Sequence, residues 1–141
     1  MDTPAPRLKV LVLDDDPLRR MQFHQHFTRD EKRIQFHVAK NYREFVAKMQ
    51  QHSPFDFVTL DHDLQDFNPA YKMDGDPLNP QEFTGMHAAQ YLAAQPVHMR
   101  PRRIEIHSHN PAGAINMQTL LNHAFINASL RPFSPRTLPV V

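Results

Sequence analysis

Leu8-Lys9-Val10-Leu11-Val12-Leu13-Asp14-Asp15-Asp16-Pro17 decides the fold. Its apolar, β-forming run stops abruptly in three acids and a proline, as a buried parallel strand does where it feeds a helix. Asp16 is read as the N-cap and Pro17 as the first helical residue of a helix running to about Phe27, with Met21, Phe23 or His24, and Phe27 on its inner face. The same alternation repeats downstream. Ile34 to Val38 reads as a strand, and Asn41 with Glu44 three residues later as a capping-box start for a helix carrying Phe45, Val46 and Met49. Phe55 to Leu60 reads as a third strand that again ends in acid, at Asp61-His62-Asp63.

Beyond Leu64 the chain turns polar and proline-bearing as far as Phe83, which reads as a long loop of the kind that carries function. Thr84 then opens a helix to about Ala94, Ile104 to His107 is a fourth strand, and Asn110-Pro111 caps a helix to about Phe125. Its apolar positions Met117, Leu120, Leu121, Ala124 and Phe125 keep helical spacing. Ala128 to Leu130 reads as a brief fifth strand, and Pro132, Pro135 and Pro139 forbid a regular helix after it. Strands alternating with helices call for a three-layer, doubly wound α/β fold with a parallel five-stranded sheet. Ligands of such sheets bind beyond the carboxyl ends of the strands, so Asp14 to Asp16, Asp61 to Asp63 and His107 to Asn110 are expected on one rim.

Composition narrows the partners. The 141 residues fit one domain, with a flexible tail at 1–6, an inserted loop at 64–83 and a C-terminal tail at 134–141. Sixteen basic against 15 acidic side chains leave no extended nucleic-acid surface and no pull toward a membrane. The chain has no cysteine, which removes thiolate nucleophiles, Cys-based zinc sites and disulfides. With no apolar leader and no span of bilayer length, cytoplasmic residence is the expectation. Ten histidines are many for this length and call for a chemical explanation.

The rim supplies one. Asp15 and Asp61 are the foremost metal ligands, with Asp14 adjoining and Asp63 on the strand face of Asp61; Mg²⁺ or Mn²⁺ suits such oxygen donors, and zinc is the alternative if imidazoles join them. His62, His107 and His109, in that order, are the expected proton-exchanging groups. The alternative for each is a rim imidazole that only bonds a neighbouring carboxylate. Ser108, Asn110 and the Gly113 backbone, at a capped helix start, are read as phosphate-binding groups, or else as plain capping.

These stretches resemble known receivers. Val12 to Arg19 resembles the acidic first loop of receiver domains, Phe55 to Asp61 the strand ending in their phosphoacceptor aspartate, Ile106-His107-Ser108 the strand ending in their Ser/Thr switch, and Leu130-Arg131-Pro132-Phe133 their Lys-Pro-Phe. The long loop, the arginine in place of the lysine and the eight residues after Phe133 depart from an ordinary receiver, and the last helix is expected to be missing. Asp61-His62-Asp63-Leu64, Thr84-Gly85 and His107 to Met117 are similar to the cyclic-phosphate processing receiver domain. That resemblance implies a phosphoesterase acting on a cyclic phosphate of a nucleotide or RNA end, with His62, His107 and Asp61 catalytic. Arg131 is then the fixed positive charge that grips the phosphate, unless it is a surface residue. Two other functions compete: a module that binds a cyclic nucleotide or phosphate ligand without turnover, and a degenerate receiver used for protein contact.

Overall fold

A computed structural model of the chain describes residues 6–67 and 82–141. Five strands, β1 (Leu8–Leu13), β2 (Ile34–Ala39), β3 (Phe57–Leu60), β4 (Arg103–Ile106) and β5 (Ala128–Leu130), form one parallel sheet in the order β2-β1-β3-β4-β5. The helices are α1 (Pro17–Thr28), α2 (Tyr42–His52), α3 (Gly85–Ala94) and α4 (Pro111–His123). Among the described residues no helix follows β5, as expected. None is long and apolar enough to cross a membrane.

The period-2 alternation of β1 splits the core in two. Leu11 and Leu13 join Val58, Leu60, Ile104 and Ile106 under α2, α3 and α4, where Phe45, Met49, Leu92, Met117 and Leu121 are buried. Val10, Val12 and Phe57 face the other way, against Phe23 and Phe27 of α1. A receiver lacking its last helix would leave that second face half bare. Here the C-terminal residues cover it: Phe133, Leu138 and Val141 pack on the α1 cluster. His26 Nε2 lies 2.6 Å from the Pro139 carbonyl, and Arg103 donates to the Val140 carbonyl at 2.8 Å. The segment expected as a tail is thus a packed substitute for a helix that its prolines cannot form.

The helix starts follow their sequence signals. Asp16 accepts from the Leu18 and Arg19 N–H groups, Asn41 from Glu44, Thr84 from Met86 and Asn110 from Gly113. Two apolar assignments need correction. Met21 is 50% exposed, because Phe23 and Phe27, four apart, occupy the inner face and put it beside Leu18 on the outer one. Phe125 lies beyond the end of α4 in the left-handed region (φ 61°) and is 96% exposed.

Of the long loop after β3, residues 68–81 lie outside the described part. Its two ends are tied together: Phe83 N–H donates to the Asp66 carbonyl at 2.9 Å in an antiparallel bridge, and Leu64 is buried. The loop therefore leaves and re-enters the fold beside the rim.

Candidate functional site

The carboxyl ends of β1, β3 and β4 enclose a cavity of about 570 Å³. The β1–α1 connection lines it with Asp15, Asp16, Pro17 and Arg19; the segment after β3 with Asp61, Asp63 and Gln65; and the segment after β4 with Ser108, His109 and Asn110. Three separate stretches of chain thus meet, because a parallel sheet brings all its strands out on the same rim.

One flank is a buried, fully bonded network. Asp14 is completely buried, and its Oδ2 is 2.8 Å from His107 Nε2. The other ring nitrogen of His107 is 2.7 Å from the Thr59 hydroxyl, and the ring is packed edge-on by Phe23. Arg19 grips Asp14 with two bonds, Nε to Oδ2 at 2.8 Å and Nη2 to Oδ1 at 3.0 Å, and Nη2 also donates to Asp61 Oδ2 at 3.1 Å. Asp16 and Asp15 lie 3.4 and 3.9 Å from the same guanidinium. Burial pushes the Asp14 carboxyl upward, but the hydrogen bonds from His107 and Arg19 outweigh it and hold the pKa at about 2. Asp61 goes the other way. Burial, then the negative charge of Asp14, push it up to about 6, against the pull of His107 and Arg19. Burial and Asp14 also raise Asp15.

The opposite flank is open. His62 Nδ1 is 2.7 Å from Asp63 Oδ1, and this bond holds the exposed Asp63 carboxyl below its ordinary value. Asn110 Nδ2 donates to the same carboxylate at 3.3 Å. The Ser108 hydroxyl accepts from the Asn110 N–H at 3.0 Å and lines the cavity, as does the exposed imidazole of His109. Two glycines let these pieces close up. A Cβ on Gly85 would collide with the Asp61 carbonyl oxygen, where α3 starts with its Gly85 N–H bonded to the His62 carbonyl at 2.7 Å. A Cβ on Gly113 would lie 2.5 to 2.8 Å from the His62 ring.

The expected site residues are therefore brought together with three corrections. His107, expected to exchange protons with a ligand, is 3% exposed and has both ring nitrogens engaged, by the Thr59 hydroxyl and Asp14. Gly113 gives its N–H to Asn110 and its space to the His62 ring, so it offers no phosphate cradle. Arg131 is not at the cavity; it pairs with Glu105 at 3.1 Å on the face of the sheet covered by α1. The positive charge of the site is Arg19. Its signal was present in the sequence as the third residue of a helix preceded by three acids, a position whose side chain leans back over the helix start. Thr59, buried within β3, carried no such signal.

Asp14, Asp61 and His107 place ligand atoms within 4.8 Å of one another, a spacing that can hold a metal ion. The donors fit a hard cation, because four carboxylates, those of Asp14, Asp15, Asp16 and Asp61, face a single guanidinium.

Fold and rim define a receiver-type domain. A family model described as the cyclic-phosphate processing receiver domain matches residues 9–123, and the chain belongs to that family. No curated protein matches it in sequence. Among solved structures, the chain is similar to a response regulator receiver protein from Pseudomonas putida (16% identity, 92% of this chain and 90% of that one, TM-score 0.61). A CheY-like receiver domain protein from Methanospirillum hungatei JF-1 is similar at 13% identity, over 93% and 86% of the chains, with a TM-score of 0.59. The receiver domain of a sensor histidine kinase from Pseudomonas aeruginosa PAO1, solved with a magnesium ion coordinated in its active site cleft, is similar at 14% identity, over 93% and 90%, with a TM-score of 0.61. At these identities the likeness speaks for the fold.

Proposed function

We propose that this chain is a metal-dependent phosphoesterase that opens a cyclic phosphate on a nucleotide or an RNA end. The observation that carries the reading is the cavity itself, which sets carboxylates on one side of a ligand-sized space and an exposed imidazole, a hydroxyl and an amide on the other. Opening a cyclic phosphate forms a bond from a water oxygen to phosphorus, breaks one phosphorus–sugar oxygen bond and delivers a proton to the departing oxygen. In this reading His109, which lines the cavity, exchanges those protons, and Asp63, paired with His62, lines the cavity as well. Ser108 and Asn110 meet the phosphoryl oxygens. Asp15 and Asp61 would hold Mg²⁺ or Mn²⁺, favoured over zinc because the available donors are oxygens, and the ion supplies charge neutralisation at the phosphate when bound.

Incubation with nucleoside 2′,3′-cyclic phosphates and Mg²⁺ or Mn²⁺ tests this. Product is expected, and His109→Ala should lower turnover by a factor of about 10² or more, the usual contribution of a positioned acid–base group. No product from any such nucleotide with either metal would remove the reading.

One observation favours a second reading, a module that binds a phosphate ligand without turnover: Asp61 already has a cationic partner in Arg19, and His107 is committed to Asp14. Calorimetry showing stoichiometric binding of an unchanged cyclic nucleotide would select it.

A further inference from the structure

Arg19 stands at the centre of the acid cluster, and its donors are shared out unequally. Two bonds, from Nε and from Nη2, go to Asp14 in the planar two-point geometry that arginine matches best. A single further bond, from Nη2, goes to Asp61. The two acids differ in how firmly they are committed. Asp14 is completely buried behind the guanidinium, is bonded from behind by His107, and accepts the Asp16 N–H at 2.9 Å. Asp61 lines the cavity, and among the described residues its carboxylate is held, apart from Arg19, by the His62 N–H alone, through the other oxygen. The anchor of the guanidinium is thus fixed, while its contact with Asp61 is open to exchange.

We infer that Arg19 and a divalent cation are alternative partners of Asp61, so that a cation taking Asp61 leaves Arg19 anchored on Asp14 with one N–H turned over to a phosphoryl oxygen of the ligand. The inference rests on the metal-dependent reading above and gives the site its anion-gripping residue, the part that Arg131 does not play. Two consequences follow from charge alone. The guanidinium, 3.1 Å from Asp61, opposes entry of a second cation. Once that cation is in place, the same guanidinium attracts the anion. Metal and phosphate therefore bind cooperatively in the wild-type protein, and Arg19 pushes the two affinities in opposite directions.

Arg19→Met tests this in the full chain with Mn²⁺ followed by electron paramagnetic resonance, and with inorganic phosphate titrated calorimetrically at saturating Mg²⁺. Mn²⁺ binding is expected to tighten about tenfold or more, since a unit charge is removed a few ångströms from the site. Phosphate binding is expected to weaken by about tenfold. Arg19→Lys, which keeps the charge and loses the two-point grip, should fall between wild type and Arg19→Met on both measures. Unchanged or weaker Mn²⁺ binding in Arg19→Met overturns the competition, and unchanged phosphate binding overturns the transfer of Arg19 to the ligand. Loss of both affinities in both variants also overturns the inference, because Arg19 would then only be holding the site together. If neither wild type nor Arg19→Met binds Mn²⁺, the metal-dependent function falls as well; opposite shifts without turnover leave the inference standing and remove only the phosphoesterase.

Discussion

The two flanks of the cavity are built from the same residue types and do different work. On the inner flank Asp14, His107 and Thr59 are buried and, with Arg19, bonded to one another, so that each polar side-chain atom of Asp14 and His107 already has a protein partner. On the open flank Asp63, Ser108, His109 and Asn110 line the cavity, and His62 pairs with Asp63. An imidazole in the first setting is a strut; in the second, under the function proposed above, it is a reagent. Burial and satisfaction separate the two roles, since a group must be both reachable and unspent to move a proton.

Breaking the buried flank should have the largest effect. His107→Ala empties the space of a buried ring, removes one of the partners of fully buried Asp14 and leaves the Thr59 hydroxyl unpaired, and the cavity with its unsatisfied group costs about 3–5 kcal/mol, measurable by urea denaturation. A loss under about 1 kcal/mol would show that the network is ornamental.

Next comes Asp61, measured with a chelator present. Its folded pKa, about 6, lies above its ordinary value, so the native state binds that proton more tightly than the unfolded chain does. The resulting penalty is absent below about pH 4, grows as pH rises toward 6 and is fully present above it. Asp61→Asn is therefore expected to be more stable than wild type at pH 8, by up to roughly 3 kcal/mol at 1.36 kcal/mol per pKa unit, and no more stable at pH 3.5. Asp14, held at about 2, has the opposite slope: its stabilisation is present above about pH 4 and is lost as pH falls toward 2. Thermal melts of both proteins across pH 2–8 would show the two slopes, and a pH-independent Asp61→Asn difference would break the assignment.

Gly113→Ala reaches the open flank from behind. The added methyl meets the His62 ring, which has to give way, at an expected cost of about 1–3 kcal/mol in stability together with a changed His62 signal in the NMR spectrum. If the imidazole resonances stay where they are, the ring does not rest on Gly113.

The smallest effect on folding belongs to His109→Ala, expected within about 0.5 kcal/mol of wild type because the side chain is exposed. The same substitution is expected to remove most turnover, so the contrast with His107→Ala is a direct reading of strut against reagent.

Much of this was legible in the chain. The acids closing the first and third strands, the N-caps Asp16, Asn41, Thr84 and Asn110, and the lack of a final helix all rest on local rules: strand alternation, capping chemistry and the geometry of proline. The local pattern fell short where the outcome depended on neighbours. Met21 and Phe125 have helical spacing but face solvent, because spacing gives a face and not what lies opposite it. The ranking of the three rim histidines could not be read either, since His62, His107 and His109 sit within three residues of similar strand ends.

Sequence alone determined that this chain alternates strand and helix, that acids crown two of its strands, and that its last residues could not coil; each is a property of a few consecutive residues. Only the tertiary structure decided that Arg19 and not Arg131 enters the cavity, that His107 lies behind Asp14, and that residues 133–141 seal the α1 face. Those outcomes depend on which distant groups come within about 3 Å of one another, and the desolvation and pairing that then fix each side chain's role exist only once the chain has closed on itself.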